Sequence, residues 1–481
     1  MLVLCEQNSM AQRIDPVDAS VLTLRQAVTY RDTGTQHPQL VALRSLKDPT
    51  LQPVFEGLLQ AKEAPMRVDG FLGLSELRGE RGADPEQLKA LGDPAIQTVA
   101  ITECLGLGLL KPEGIRAILA WKDLPDYDRV LLIAELNRIK EPWDLAMLGE
   151  AASSATAEVA GLAAALALEK GDTARWRAFL DQAASLSTVD RQDLMRRIAD
   201  ASRHYLLGPA AVQLLKVTEE STGVERTAAM AAALRVAPTA GRDAVLQQAQ
   251  ADRSLANLVQ CGMLMLAADD AIRADDFGVL KNGDLMPEAI AEAGAALRTP
   301  GMDPTVPLVG LMESANRPIS EWAVRQAEKL SPEARRTVLL AAIDRLDTKE
   351  TPSMHDRLLA ALAAQQLIAS DPDTLLPRAT RKSGRPEIPE SIVAAMCDLG
   401  NNQAMQLARS MRGSLNQRGE SLALVTIAKT APTLTTDEVR QLGVIGGGGG
   451  RVEEPIQMQA AWLYLRHSNQ LAKAIAKLTP R

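Results

Sequence analysis

Aromatic side chains are scarce in this chain: 5 Trp, 4 Tyr and 4 Phe make up 3% of 481 residues. Strands of sandwiches and barrels favour aromatic and β-branched residues, so the shortage counts against an all-β fold. It also counts against a carbohydrate site, which would stack sugars on aromatic rings. The 4 cysteines, Cys5, Cys104, Cys261 and Cys397, lie far apart and form no CxxC pair. Cys104, Cys261 and Cys397 therefore read as small buried residues among apolar neighbours rather than as a disulfide or metal set. His37, His204, His355 and His467 each stand alone, without the paired spacing of a helical metal site, and read as surface or capping residues. No long apolar run exists. Val159–Leu168 is the longest uncharged helical run of note, well short of the ~18 residues a membrane span needs. Positive charge is also in deficit. Net charge is −7 and the pI about 5.4, whereas a solenoid gripping DNA or RNA needs a basic track. No nucleic-acid partner is expected.

Hydrophobic residues make up 46% of the chain, enough for a folded protein, and the remainder leans on Ala, Leu, Gln, Glu and Arg, all good helix formers. The stretch from Asp48 to Leu109 repeats itself. Asp-Pro-x-Leu/Ile-Gln-x-Val occurs at Asp48–Val54 and at Asp93–Val99; Val/Ile-x-x-x-Leu-Gly-Leu occurs at Val68–Leu74 and at Ile101–Leu107. Recurrence over tens of residues is the mark of stacked supersecondary units. Asp-Pro is a helix start, because the carboxylate accepts from the first free N–H groups and Pro has no N–H to leave unpaired. The device returns at Asp48-Pro49, Asp84-Pro85, Asp93-Pro94, Asp303-Pro304, Ser331-Pro332 and Asp371-Pro372. Gly73 and Gly106 sit inside apolar helical segments, where each costs roughly 1 kcal/mol against Ala. Close approach of a neighbouring helix is the expected compensation.

Asp93-Pro94-Ala95-Ile96-Gln97, followed by Ala100 and Leu105-Gly106, resembles the inner helix of a HEAT-type repeat. Pro65-Met66-Arg67-Val68 with Leu72-Gly73 is a weaker echo. Gln97 stands where that family usually has Arg, and the spacing to Leu-Gly departs by about one residue. The resemblance covers only about 60 residues. It implies a superhelical scaffold and no one activity.

The fold class expected is all-α, an α-solenoid of about 13–14 antiparallel helix pairs with a HEAT-like superhelix. Residues 1–36 read as an N-terminal arm with a helix at Pro16–Tyr30; 37–445 as the repeat array; 446–450 as a glycine linker; 451–481 as a C-terminal helical pair. About 28 helices are expected from residue 38 on, including one over 142–153, and pairing them gives a period near 34 residues. Leu339, Ala342, Ile343 and Leu346 share one helix face, while Arg335, Arg336, Asp344, Arg345 and Asp347 occupy others. Leu255, Leu258, Val259, Gly262 and Leu266 repeat the pattern, with Gly262 as a point of close contact. No apolar/polar alternation is sustained, so no strands are expected. An open array keeps its two ends apart.

Other features read blandly. Gly446–Gly450 lacks the preceding strand and the Gly-Lys-Ser/Thr of a phosphate loop and is expected to be a mobile tether. Asp269, Asp270, Asp275 and Asp276 lack the spacing of a calcium loop and read as solvated charges. The basic loop Arg378–Arg385, with Arg381 and Lys382, reads as solvated too. Met-Leu-Val-Leu-Cys has neither the basic start nor the apolar length of a signal peptide. A cytoplasmic location is expected, with export as the alternative if the true start lies upstream of Met1. No catalytic, cofactor-binding or metal-binding residue is nominated. The function expected is a non-catalytic scaffold for protein partners of unstated identity. The alternatives are a self-assembling structural subunit, with oligomeric state unassigned, and an enzyme of lyase or glycosylase type on the same scaffold.

Overall fold

The computed structural model describes residues 15–29, 37–149, 151–221, 223–268, 273, 276–280, 283–379, 392–393, 395–396, 401–449 and 452–478. Among them the chain is all-helical and contains no strand. No helix among the described residues is long and apolar enough to cross a membrane. The chain divides into two compact units, one made of residues 81–367 and the other of residues 1–80 together with 368–481.

Local chemistry sets the helix starts. Asp48 accepts from the Thr50 N–H at 3.0 Å, Asp84 from Glu86 at 3.0 Å and Asp93 from Ala95 at 2.9 Å, each with Pro in the next position. Ser331 caps Pro332–Thr348 in the same way. Asp303 accepts from Thr305, and its helix begins one residue later than the dipeptide suggests, at Thr305–Met312. The helix expected over 142–153 is absent. Asp144 takes the Met147 N–H, Gly149 turns the backbone at φ 55°, and only the short turns Leu145–Leu148 and Ala151–Ser153 form.

In the unit 81–367, helices touch the next in sequence and often the next but one. Thr188–His204 packs on Ala157–Glu169 and on Val224–Val236; Gly208–Val217 packs on Val224–Val236 and on Pro238–Ala251. Such contacts are consistent with an α-solenoid, in which hairpin partners alternate with layer neighbours. Leu339, Ala342, Ile343 and Leu346 are all buried, as their shared face requires. Arg345, placed on another face by the sequence, is buried as well, because Asp356 of the following helix meets it at 2.9 Å. Leu255 departs the other way and is exposed.

The second unit joins the two ends of the chain, which an open array would hold apart. Its centre is the helix Glu454–His467, which touches Pro16–Thr29, Pro38–Arg44, Gln417–Thr430, Thr436–Gly446 and Leu471–Leu478. One core runs through all of them, from Val21, Leu24 and Leu43 to Leu424, Trp462 and Leu478. The polar contacts run the same way. The Thr23 hydroxyl donates to the Gly446 carbonyl at 2.8 Å, and Asp48 pairs with Arg466 at 2.9 Å while accepting from the Trp462 indole at 3.3 Å. Burial works against charge on Asp48, but hydrogen bonds from Thr50 and Arg466 outweigh it and hold the carboxyl below its ordinary pKa.

This arrangement corrects the domain reading at both ends. The helix of the presumed arm is Pro16–Thr29, and Val21, Leu24 and Ala27 bury it in this core. The C-terminal pair is the middle of the unit rather than an appendage to it. The glycine run is not a tether over its first four positions: Gly446 ends the helix Thr436–Gly446, and Gly447 caps it. Gly448, at φ 81°, bonds back to Ile445, and the Gly449 N–H bonds the Val444 carbonyl at 2.8 Å. Gly446 also lets two helices meet, since a Cβ there would lie 2.5 Å from the Ala461 Cα. Gly450 is outside the described residues.

The other helical glycines divide. A Cβ on Gly73 would come within 2.5 Å of the Phe55 ring, and one on Gly262 within 2.4 Å of Leu285, so both are close-contact points as expected. Gly106 faces open space at the end of Pro94–Gly106, and no neighbouring helix compensates it. Gly73→Ala should therefore cost about 1–3 kcal/mol by overpacking. Gly106→Ala should stabilise by roughly 0.4–1 kcal/mol by restricting the unfolded chain. Urea unfolding followed by hydrogen exchange within each unit measures both; equal signs would contradict the packing.

Candidate functional site

Three helices of the unit made from the chain ends carry a concave surface. Asn402–Met411 starts at Asn401, whose side chain accepts from the Ala404 N–H at 2.8 Å. Gly413, at φ 83°, turns the chain after it. Gln417–Thr430 starts at the Asn416 cap. Thr436–Gly446 starts with a reciprocal capping box between Thr435 and Glu438, which satisfies two free backbone donors at once.

Between them lies an open cleft of about 900 Å³, lined by Arg409, Arg412, Glu420, Thr435, Glu438 and Gln441 among others. Its charges pair within the unit. Arg412 stands 3.3 Å from Glu420 and 3.9 Å from Glu438; Arg409 stands 3.8 Å from Glu438; Arg440 reaches Asp437 at 2.5 Å. The Arg412 guanidinium also donates to the Gln441 side-chain oxygen. The lining contains no Ser, Cys or His; its hydroxyls are those of Thr433 and Thr435, of which the Thr435 oxygen accepts from the Glu438 N–H. A second groove of about 510 Å³ adjoins the cleft and shares Glu420 and Gln441 with it. Its walls are largely apolar: Leu424, Val444, Ile445 and Val452. Val444 is 50% exposed. A charged strip and an apolar strip thus lie side by side.

The residues singled out by sequence do not converge. His204 stacks edge-on against Tyr205, and the His467 ring nitrogen Nε2 meets the Ala428 carbonyl oxygen at 2.9 Å. His37 precedes the helix Pro38–Arg44 and makes no side-chain cap. Cys104 and Cys261 are buried, and burial pushes the Cys261 thiol up to about 11, which makes it a poor nucleophile. Asp276 is held by Arg242 at 2.5 Å. Cys5, Cys397, Asp269, Asp270, Asp275, Arg381, Lys382 and Arg385 lie outside the described residues. Among the described residues, no three His, Cys, Asp or Glu side chains are placed to hold a metal ion.

One pairing escaped the sequence reading. The Ser320 hydroxyl lies 2.7 Å from His355 Nε2, the spacing of a nucleophile and its base. Ser320 is fully buried and donates to the Arg317 carbonyl, and among the described residues no group hydrogen-bonds His355 Nδ1 to orient the ring. Burial, then the nearby Arg345 charge, lowers the His355 pKa. This is a buried structural contact. Its two members stand 35 positions apart, and no motif links them. Burial also raises the Asp128 carboxyl and pushes Glu169 up to about 7, but neither lines the cleft or the groove. No protein-family model matches the chain, and neither a curated protein nor a solved structure matches it.

Proposed function

We propose that the chain is a non-catalytic, HEAT-like helical scaffold that binds a protein partner on the unit formed by its two ends. The observation that carries this reading is the adjoining pair of concavities, an apolar groove around Val444 beside a cleft whose charges are already neutralised in pairs. Protein interfaces combine an apolar centre with a polar rim in the same way. Paired arginines and carboxylates orient a partner and exclude wrong ones more than they add affinity. A site for chemistry would instead leave a nucleophile or a strained carboxylate facing the cavity.

A photo-cross-linking residue at Val444, in the full chain within native extract, tests the reading. A discrete adduct with a second protein is expected. Val444→Asp should lower the affinity of that identified partner at least tenfold. An exposed substitution of this kind usually changes stability by no more than about 0.5 kcal/mol. Adducts only with further copies of the chain would replace this reading by self-assembly. Absence of any macromolecular adduct, together with turnover of a small molecule, would reverse it in favour of an enzyme.

A further inference from the structure

We propose that His355 is a mild-acid release, which pins the helix Met354–Ser370 to Arg317–Gln326 while neutral and lets go once protonated. Polar contacts join three helices of the unit 81–367 here. Ser320, in Arg317–Gln326, lies 2.7 Å from His355 Nε2. Arg345, in Pro332–Thr348, meets Asp356, the residue after His355, at 2.9 Å. The Ser320 contact thus ties together helices that have a whole helix between them in sequence. Hydrogen bonding also fixes where the imidazole proton sits. The Ser320 hydroxyl has one hydrogen and donates it to the Arg317 carbonyl at 3.1 Å. The ring must then donate from Nε2, which leaves Nδ1 bare. Nδ1 is buried and has no hydrogen-bond partner among the described residues. A proton arriving there makes a buried N–H that nothing accepts, a costly group.

The charge fares no better than the proton. His355 is the second residue of its helix, whose start is capped by reciprocal bonds between Ser353 and Asp356. A positive charge in the first turn opposes the helix dipole. Arg345, a cation with its side chain 2% exposed, faces the ring from Pro332–Thr348, and Arg317 faces it from Arg317–Gln326. The carboxylates that face it are Asp356 on its own helix and Glu321 on Arg317–Gln326. Both are taken, Asp356 by Arg345 and Lys349, Glu321 by Arg317 at 2.6 Å. Burial, then the Arg345 charge, accordingly outweighs them and lowers the His355 pKa. Stability from the neutral ring is therefore complete above the ordinary value of about 6.5 and lost as pH falls through it toward the folded value. Asp356, held far below the ordinary carboxylate range, stays charged throughout that window. Release bares Leu359, Ala363 and Leu367 of the pinned helix, all buried in the closed form, so mild acid uncovers an apolar surface.

The release is independent of the Val444 groove and of any partner bound there. Its test follows the full chain from pH 7.5 to 5.5 by amide hydrogen exchange, corrected for the intrinsic effect of pH. Met354–Ser370 should open about threefold or more often at the lower pH, since half a pKa unit is a factor of about three. Pro94–Gly106, in the same unit, is the reference and should not change. NMR of the ring carbon Cε1 reads the imidazole itself, with the His355 signal assigned as the one missing from His355→Gln. It should titrate below 6.5. His355→Gln keeps a donor toward Ser320 without a titrating ring, so its protection should stay constant over the range. Ser320→Ala removes the pin, and should raise opening at pH 7.5 and return the His355 titration toward the ordinary value. A wild-type His355 titrating at or above 6.5, or a folded His355→Gln with the wild-type pH dependence, would overturn the release. Unchanged protection of Met354–Ser370 in the wild type would overturn it whether or not either variant folds.

Discussion

A chain ending at Gly449 is expected to lose the ordered structure of its N-terminal helices as well as its C-terminal ones. The missing helix Glu454–His467 buries Ile456, Met458, Ala460, Ala461, Trp462, Leu463 and Leu465, so nearly all its sides face protein rather than solvent. Trp462 is fully buried, and its indole donates to Asp48. Removing the helix exposes Leu24, Leu43 and Leu424 together and strips Asp48 of Arg466. Amide hydrogen exchange measures the result: protection in Pro16–Thr29, Pro38–Arg44 and Gln417–Thr430 should vanish together. The unit 81–367 serves as the internal reference. Full protection of Pro16–Thr29 in the shortened chain would show that the shared core is not what holds it. The point version, Trp462→Ala, should cost about 3–5 kcal/mol, the range for emptying the site of a buried Trp.

Asp356→Ala is the second large effect, and it falls in the other unit. Asp356 and Arg345 have side chains 1% and 2% exposed, and they meet at 2.9 Å. Lys349 adds a contact at 2.8 Å, and Ser353 donates its N–H at 2.9 Å and its hydroxyl at 2.7 Å. Burial opposes charge on Asp356, but the Lys349 and Ser353 hydrogen bonds, with the Arg345 charge, outweigh it and hold the carboxyl far below the ordinary carboxylate range. Removing it leaves Arg345 charged and buried without its counter-ion, which costs about 3–5 kcal/mol. Arg345→Met combined with Asp356→Leu should be much less harmful than Asp356→Ala, since an apolar pair of similar volume is often neutral. The pH dependence has a definite sign. A depressed carboxyl contributes stability in full above its unfolded value of about 3.9 and loses it as pH falls toward the folded value. Acid melts should therefore show the wild type losing stability below about pH 4 faster than the double variant. Parallel acid profiles would contradict the charge pairing.

What the sequence made legible was local. Asp48, Asp84 and Asp93 announce helix starts because the acceptor and the donor it satisfies are two residues apart. Leu339 through Leu346 announce a buried face because a helix repeats every 3.6 residues whatever it packs against. Arg345 shows the limit of that rule: period assigns a face, but a counter-ion on the following helix decides whether that face stays wet. Tertiary pairing erased the arm and the tether. Thr23 with Gly446 and Asp48 with Arg466 are contacts between distant segments, and no pattern within 20 residues of either end encodes them. The groove residues Glu420, Gln441 and Val444 are ordinary one by one. Only the packing of three short helices gives them a common surface.

A ribosome makes this chain from one end, and that gives the joined termini a cost in time. Thr23 leaves the exit tunnel 423 residues ahead of the glycine it bonds. At roughly 5–20 residues per second, it waits about 20–85 s for that partner to be synthesised. For that interval Val21, Leu24, Leu40 and Leu43 lack the cover that Leu424, Trp462 and Leu463 later give, and they share only the part of the core that runs to Leu74, so they are nascent apolar surface of the kind on which chaperones act.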